Sequence, residues 1–493
     1  MRTAGLQVRS RPIALVWGAA LLALAGATLG IVHHASARRA RARLAAVPAR
    51  PLLVVELARN RGAHGPEAAE LELWRASGAA LGRGVERFAG ASLGEIPARA
   101  YAAWVLPAQE ALTAADFAAL ESYLALGGGV VLSGRAGRDA PGRGALAKLF
   151  PGARFAEPSA GPTRLRVVGP GALVAGLAPG HELEVSAGGR ALAVNTSDAL
   201  GWDGDAGGAG MVGLYRGAPV AWLGVAPNRI GDAAAARTLA ANALRFALRE
   251  PVLDLRAWPE GRPCAVLIDA PGGGEKGAKT CQLSGDEADA GAESAELRQL
   301  ARDGCRFAAV PAEGRAMPEL LDVDGAAFVA IPEDHAHRSA RGSALMRELL
   351  AGYERAERLG GMYSLRADAH WRAAKGRDPL FARVGDELRA RGAWFAEPEE
   401  LAEWWSARAG VRADLEVVAR DRVRVRFANP GSAEARGVTA RVYLPDGAAT
   451  ARLVAGPTLR AAPLLRISAD HTWIEVVERS LDPGAEVSYT IRF

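Results

Sequence analysis

Lysine is nearly missing from this 493-residue chain: Lys148, Lys276, Lys279 and Lys375 stand alone, and arginine supplies the rest of the 60 basic residues. That excess, with abundant alanine and glycine, reflects coding bias more than function. Cysteine is scarce too. Cys264, Cys281 and Cys305 are too few and too unevenly spaced for a disulfide framework or a zinc cluster. Two readings of them stay open, a single Cys281–Cys305 bridge or small apolar residues at strand and helix ends. A concentrated basic face is also absent. The net charge of +5 comes from arginines flanking one apolar run and others scattered among 55 acids, so nucleic acid is not an expected partner. Long hydrophobic runs are missing except for one, which excludes a polytopic membrane protein. With 49% hydrophobic and 23% charged residues the composition is globular, and the length suggests about three domains.

The exception is Ile13 to Val32, uncharged and rich in Leu, Ala and Val. At 1.5 Å rise per residue such a run just spans a bilayer core of roughly 30 Å. Arg2, Arg9 and Arg11 precede it, but Arg38, Arg39, Arg41 and Arg43 follow, so charge alone does not orient it. Ala35-Ser36-Ala37 suits a signal peptidase, yet the run exceeds the usual signal h-region, which favours an uncleaved anchor. The expectation is a single-pass protein of the cytoplasmic (inner) membrane, with the bulk of the chain periplasmic or extracellular and the membrane as a partner.

Residues 1–33 thus read as anchor or signal, and 34–50 as an Arg/Ala-rich linker ending in Val47-Pro48-Ala49-Arg50. From 51 onward, Leu52-Leu53-Val54-Val55, Ala103 to Leu106 and Val130-Val131-Leu132-Ser133 are apolar runs of the kind found in buried parallel strands. Thr113 is a plausible N-cap for a helix carrying Phe117, Leu120, Tyr123 and Leu124, which Gly127-Gly128-Gly129 stops. Pro219 to Gly224 reads as a last strand and Ala241 to Phe246 as part of a closing helix. This order predicts a flavodoxin-like parallel sheet. The stretch from Leu112 through Gly134 resembles the class I glutamine-amidotransferase-like fold over about 51–250. That resemblance implies a Cys nucleophile and a His base, because an activated thiolate is what attacks an amide readily. The region has no cysteine, and a substituted Ser133 with His64 or His181 competes with a loop serine and two surface histidines.

Over 251–412, Pro263 to Asp269 is an apolar strand that delivers a carboxylate at its C-terminal end, where α/β barrels place their chemistry. The following Gly272 to Thr280 is no P-loop, since Ala278 interrupts the Gly-Lys-Thr that must converge on one phosphate. Leu297 to Phe307 reads as helix, glycine stop and strand; Phe328 to Ile331 and Gly361 to Arg366 are further strands, and Leu345, Leu349, Tyr353 and Ala356 form a helix stripe. The closing segment from Trp394 through Trp404-Trp405 to Val411 resembles the end of polysaccharide deacetylases, the NodB-homology (β/α) barrels.

The resemblance implies one divalent, zinc-like metal on an Asp and two His, with a second Asp as base and a late His as acid. Asp269 fits the first acidic position, but Ala270-Pro271 replaces its paired acid and Arg366 stands where the last His should be. The segment from Asp269 to Leu297 is too short for the missing His strand. Asp269, His335, His337 and His370 form a substitute ligand set, with Glu333 and Asp334 beside them; the plain alternative is solvated loop residues. Trp371 and Trp404 are candidates to stack on a glycan, whereas Trp394 and Trp405 read as core. From 413 to 493 the period changes to two: Val423, Val425 and Phe427 alternate with Arg422, Arg424 and Arg426, implying an immunoglobulin-like β-sandwich.

The expected fold is therefore α/β: a transmembrane helix, a parallel sheet domain, a degenerate deacetylase-type barrel and a C-terminal sandwich. The expected function is an envelope protein, catalytically impaired and without a cofactor, that binds a polysaccharide or scaffolds its processing. The rivals are an active metal-dependent de-N-acetylase and a purely structural partner in a membrane complex.

Overall fold

The computed structural model describes residues 50–60, 66–109, 111–136, 145–156, 164–186, 193–195, 199–202, 207–269, 299–300, 302, 304–311, 316–323, 326–333, 342–366, 378–457 and 461–493. The N-terminal region folds on a six-stranded sheet. Its strands are β1 (Leu52–Leu57), β2 (Val85–Gly90), β3 (Ala103–Pro107), β4 (Gly129–Ser133), β5 (Gly210–Tyr215) and β6 (Ala218–Leu223), in the order β5-β6-β4-β3-β1-β2. All neighbours run parallel except β5, which pairs antiparallel with β6 at the edge.

Strand alternation divides the core in two. Leu52, Val54, Val105 and Val131 pack on one face, with Trp74 of helix α1 (Ala68–Ala80) and Leu239 of α3 (Ala233–Ala247). Leu53, Val55, Trp104 and Leu132 pack on the other, with Phe117, Leu120 and Tyr123 of α2 (Ala114–Ala125). Continuous apolar strands are what such two-sided burial demands. Helix α2 begins with a capping box in which Thr113 accepts from the Asp116 amide and Asp116 from the Thr113 amide. It ends at Gly127, whose φ of 88° is left-handed. Gly129 allows close packing, since a Cβ there would sit 1.9 Å from the Ala247 carbonyl oxygen.

Beyond the closing helix, β7 (Val252–Leu255) leaves this sheet altogether. The strands that follow are β8 (Ala265–Asp269), β9 (Phe307–Pro311), β10 (Glu319–Val323), β11 (Ala326–Glu333), β12 (Met362–Arg366) and β13 (Trp394–Phe395). Helices α4 (Gly342–Leu359), α5 (Asp378–Ala390) and α6 (Pro398–Ala409) accompany them. The expected barrel is corrected here: among the described residues no sheet closes. One small parallel sheet has the order β12-β8-β13 and a second, mixed one has the order β9-β11-β10. A barrel needs every strand paired on both sides, whereas each of these sheets keeps two edges. Strand β10 also runs antiparallel to β11, a direction the (β/α) barrel has no place for.

The C-terminal sandwich consists of β14 (Arg412–Ala419), β15 (Arg422–Ala428), β16 (Ala435–Tyr443), β17 (Arg452–Ala455), β18 (Leu464–Ile467), β19 (Trp473–Leu481) and β20 (Glu486–Arg492), plus β7. Its sheets have the orders β7-β16-β19-β18 and β14-β15-β20-β17. Val423, Val425 and Phe427 of β15 are buried between the sheets, while Arg424 and Arg426 pair outside with Glu416 and Glu486.

The expectation of a single-pass membrane anchor is also corrected. Among the described residues no helix is long and apolar enough to cross a membrane, and Ile13 to Val32 lies outside the described residues. The longest described helix, α4, has 18 residues, but six are charged, including Arg347, Glu348 and Glu354. Cys305 is disulfide-bonded and Cys264 is a buried free thiol, so the purely apolar reading of the cysteines fails for Cys305. Cys281 lies outside the described residues.

Candidate functional site

Doubly wound sheets bind ligands in the crevice at the carboxyl ends of their strands, where the winding reverses. In the N-terminal sheet that point lies between β1 and β3, whose following helices α1 and α2 pack on opposite faces. Two buried amides fill it. Asn60 donates to the Gln109 Oε1 at 2.9 Å and to the Ala111 carbonyl at 3.1 Å, and accepts from the Ala111 amide at 2.9 Å. Gln109 also accepts from the Leu57 amide at 3.0 Å and donates to the Pro107 carbonyl at 3.0 Å.

One strand further along, a second polar centre closes the carboxyl end of β4. Ser133 is 0% exposed, donates its hydroxyl to Glu70 and accepts from the Ala108 amide at 3.2 Å. Ala108 holds a φ of 43°, a strained value for a residue with a Cβ, which turns its N–H onto the serine. Glu70, in the first turn of α1, is 1% exposed and also accepts from the Trp74 indole at 3.3 Å. Burial pushes the Glu70 carboxyl up to about 7, against the opposing pull of those two hydrogen bonds. Toward solvent, Glu67 pairs with Arg229 and accepts from Asn228 at 2.8 Å.

A hydroxyl beside a carboxyl has the components of a nucleophile and its base. Both groups are enclosed, with Ser133 0% and Glu70 1% exposed. The pair fastens α1 to the end of β4. Sequence reasoning paired Ser133 with a histidine and missed Glu70. His181 lies at the surface, 3.9 Å from Asp232, and His64 is outside the described residues. The available signal was Glu70 and Trp74, one helical turn apart on a stripe that buries Trp74, Ser77 and Gly78.

In the middle region, Asp269 is the last residue of β8, and its register partner on β12 is Arg366. Glu333 ends β11 beside Pro311 of β9. The other candidate ligands His335, His337 and His370, together with Trp371, lie outside the described residues, as does Asp334. Among the described residues, no group of three His, Cys, Asp or Glu side chains could hold a metal ion. Trp404 lies in the interior, 8% exposed, with its indole donating to the Ala257 carbonyl at 3.0 Å, which corrects its placement on a glycan groove. It belongs to a cluster in which Trp394 packs edge-on at 6.1 Å, and Trp258 stands 6.1 Å from Trp394 and 5.4 Å from Trp405. Burial pushes the Cys264 thiol up, away from a reactive thiolate.

No protein-family model matches the chain, and no curated protein matches it. Among solved structures, a beta-galactosidase from the Antarctic haloarchaeon Halorubrum lacusprofundi is similar at 20% identity and a TM-score of 0.30, over 43% of this chain and 36% of that one. An alpha-L-fucosidase isoenzyme 2 from Paenibacillus thiaminolyticus is similar at 10% identity and a TM-score of 0.30, over 93% of this chain and 51% of that one. A ThuA-like protein from Bacteroides uniformis is similar at 16% identity and a TM-score of 0.30, over 42% of this chain and 94% of that one. The chain spans about a third of the length of the Halorubrum enzyme and of a beta-galactosidase from Rahnella sp. R3. Likeness at such TM-scores carries neither fold nor function to this chain.

Proposed function

We propose that this chain is a catalytically silent, carbohydrate-binding scaffold whose 251–412 region derives from polysaccharide deacetylases. The observation that carries the silence is the closed carboxyl edge of the N-terminal sheet. Asn60, Gln109, Glu70 and Ser133 are buried and bonded to one another or to backbone, where an enzyme of this architecture keeps a cleft. The register of β8 and β12 supports it further, since Asp269 faces the arginine position Arg366 where the resemblance requires a histidine acid. The carbohydrate half rests on the closing segment from Trp394 to Val411 and its likeness to the deacetylase ending.

Two measurements on the full chain test this reading. With N-acetylated oligosaccharides and added zinc, no acetate should be released; the same chain should be retained on an insoluble glycan such as chitin or peptidoglycan. Acetate release that Asp269→Ala abolishes would replace the scaffold with a working de-N-acetylase. Passage through every glycan column would remove the carbohydrate half.

A further inference from the structure

The junction of the N-terminal sheet and the sandwich holds a cleft of about 1020 Å³. Ligand pockets occupy roughly 300–1,000 Å³ and favour domain interfaces, so this one has room for an oligomer. Its walls come from the end of α3 and the loop after it, from the β16–β17 connection, and from Val417 and Phe493 of the sandwich.

We propose that this cleft binds a neutral oligosaccharide, which gives the carbohydrate-binding reading above a place and rests on that reading. The charge pattern selects the ligand. Four arginines and four carboxylates line the walls, so their formal charges balance, and two of each are set against one another: Arg249 pairs with Asp446 and Arg83 with Glu250, while Asp421 pairs with Arg492. At those groups an anion or a cation would have to compete with partners already in place. Neutral hydroxyls can instead use remaining lone pairs and backbone groups, while the C–H faces of sugar rings meet apolar surface. That surface is present, because Val417 is 49% exposed and the half-buried Phe493 lines the same space.

The rim is also preorganised. Five described non-glycine residues have left-handed φ, and two of them, Arg249 at 59° and His471 at 64°, stand on this cleft. Strained backbone concentrates at ligand clamps, and here both residues are pinned. Arg249 also donates to the Gly217 carbonyl, and His471 Nδ1 lies 3.0 Å from the Ala448 carbonyl. A rim held in one conformation before binding loses less freedom when the ligand arrives.

The test is titration calorimetry on the full chain with chitotriose, its fully de-N-acetylated cationic trimer and trigalacturonate. Ala449 lines the cleft from an exposed position, so Ala449→Trp obstructs it without touching the core; Thr450→Trp is the second variant and Ala118→Trp, on the exposed side of α2, the control. The expected result is chitotriose binding that is equal in the parent and the control, tenfold or more weaker in both cleft variants, with Tm unchanged. Chitotriose binding that the cleft variants leave intact would overturn the cleft and spare the carbohydrate reading. Preference for either charged trimer would overturn the charge argument. Absence of chitotriose binding would overturn the cleft if insoluble glycans still retain the chain, and both readings if they do not.

Discussion

Strands β4 and β8 begin alike and end in different circumstances. Each is five residues long, apolar, and delivers one polar residue at its carboxyl end: Ser133 in the first, Asp269 in the second. Strand β4 sits inside six strands with helices on both faces, and Ser133 is buried and hydrogen-bonded to Glu70 and to the Ala108 amide. Strand β8 is the centre of three, and its neighbour at the carboxyl end is an arginine position. A wide sheet therefore seals its polar edge by recruiting partners from α1 and the β3 loop, while a narrow one leaves its edge to whatever the connecting segments supply. The interior of the narrow sheet is held by tryptophan in place of breadth. Trp258 is fully buried and donates its indole N–H to the carbonyls of Gly360 and Gly361, at 2.9 and 2.8 Å.

The largest effect should come from that substitute for breadth. Trp258→Ala should cost about 3–5 kcal/mol and, in urea titrations followed by near-ultraviolet circular dichroism, unfold the middle region before the stacked Trp104–Tyr123 pair of the first sheet. One transition in which both signals fall together would show that the two regions share a single cooperative unit.

Glu70 should give the next largest change. Its folded-state pKa is raised, from 4.5 to about 7, so its full contribution to stability is present below pH about 4.5. As pH rises the unfolded carboxyl ionises first, stability falls, and the loss is complete above pH about 7. The difference of about 2.5 units corresponds to roughly 3 kcal/mol. Glu70→Gln should flatten this part of the stability profile, measured as urea midpoints from pH 4 to 8. An unchanged slope would mean that the carboxyl is solvated.

Asn60→Ala should cost about 1–3 kcal/mol, since it strands the Ala111 amide and a lone pair of Gln109 in a dry place. If thermal unfolding shows no loss, water fills the crevice and the edge is not sealed. Thr113→Ala, which removes only the cap of α2, should cost about 1 kcal/mol by the same measurement.

What the sequence disclosed was local. Leu52 to Val55, the Thr113 cap, the Gly127 stop and the alternation of Val423, Val425 and Phe427 are all fixed by neighbours within a few residues, so periodicity and capping chemistry reveal them. What stayed hidden was pairing over distance. Glu70 and Ser133 are 63 residues apart, and nothing near either residue announces the other. Whether strands close into a barrel depends on which edges meet, and the likeness of one terminal segment to a barrel family does not decide that. Trp404 suffered from the same blindness: composition places it in the chain but not on one side of its helix, and its indole turned inward to Ala257.

The pairing of Val252–Leu255 with Ala440–Tyr443 has a consequence for how this chain is assembled from parts. The sandwich owns a strand on each side of the middle region, so residues 256–411 are an insertion into a host domain and no separate bead between two others. Arg408 ties the two ends of that insertion together, donating to the Leu255 carbonyl at 2.7 Å and the Arg256 carbonyl at 3.1 Å. Entry and exit therefore leave the host side by side, the geometry that lets one domain tolerate another within its sequence. A cut at residue 412 yields a sandwich lacking its own edge strand, whereas replacing 256–411 with a short turn keeps the host whole.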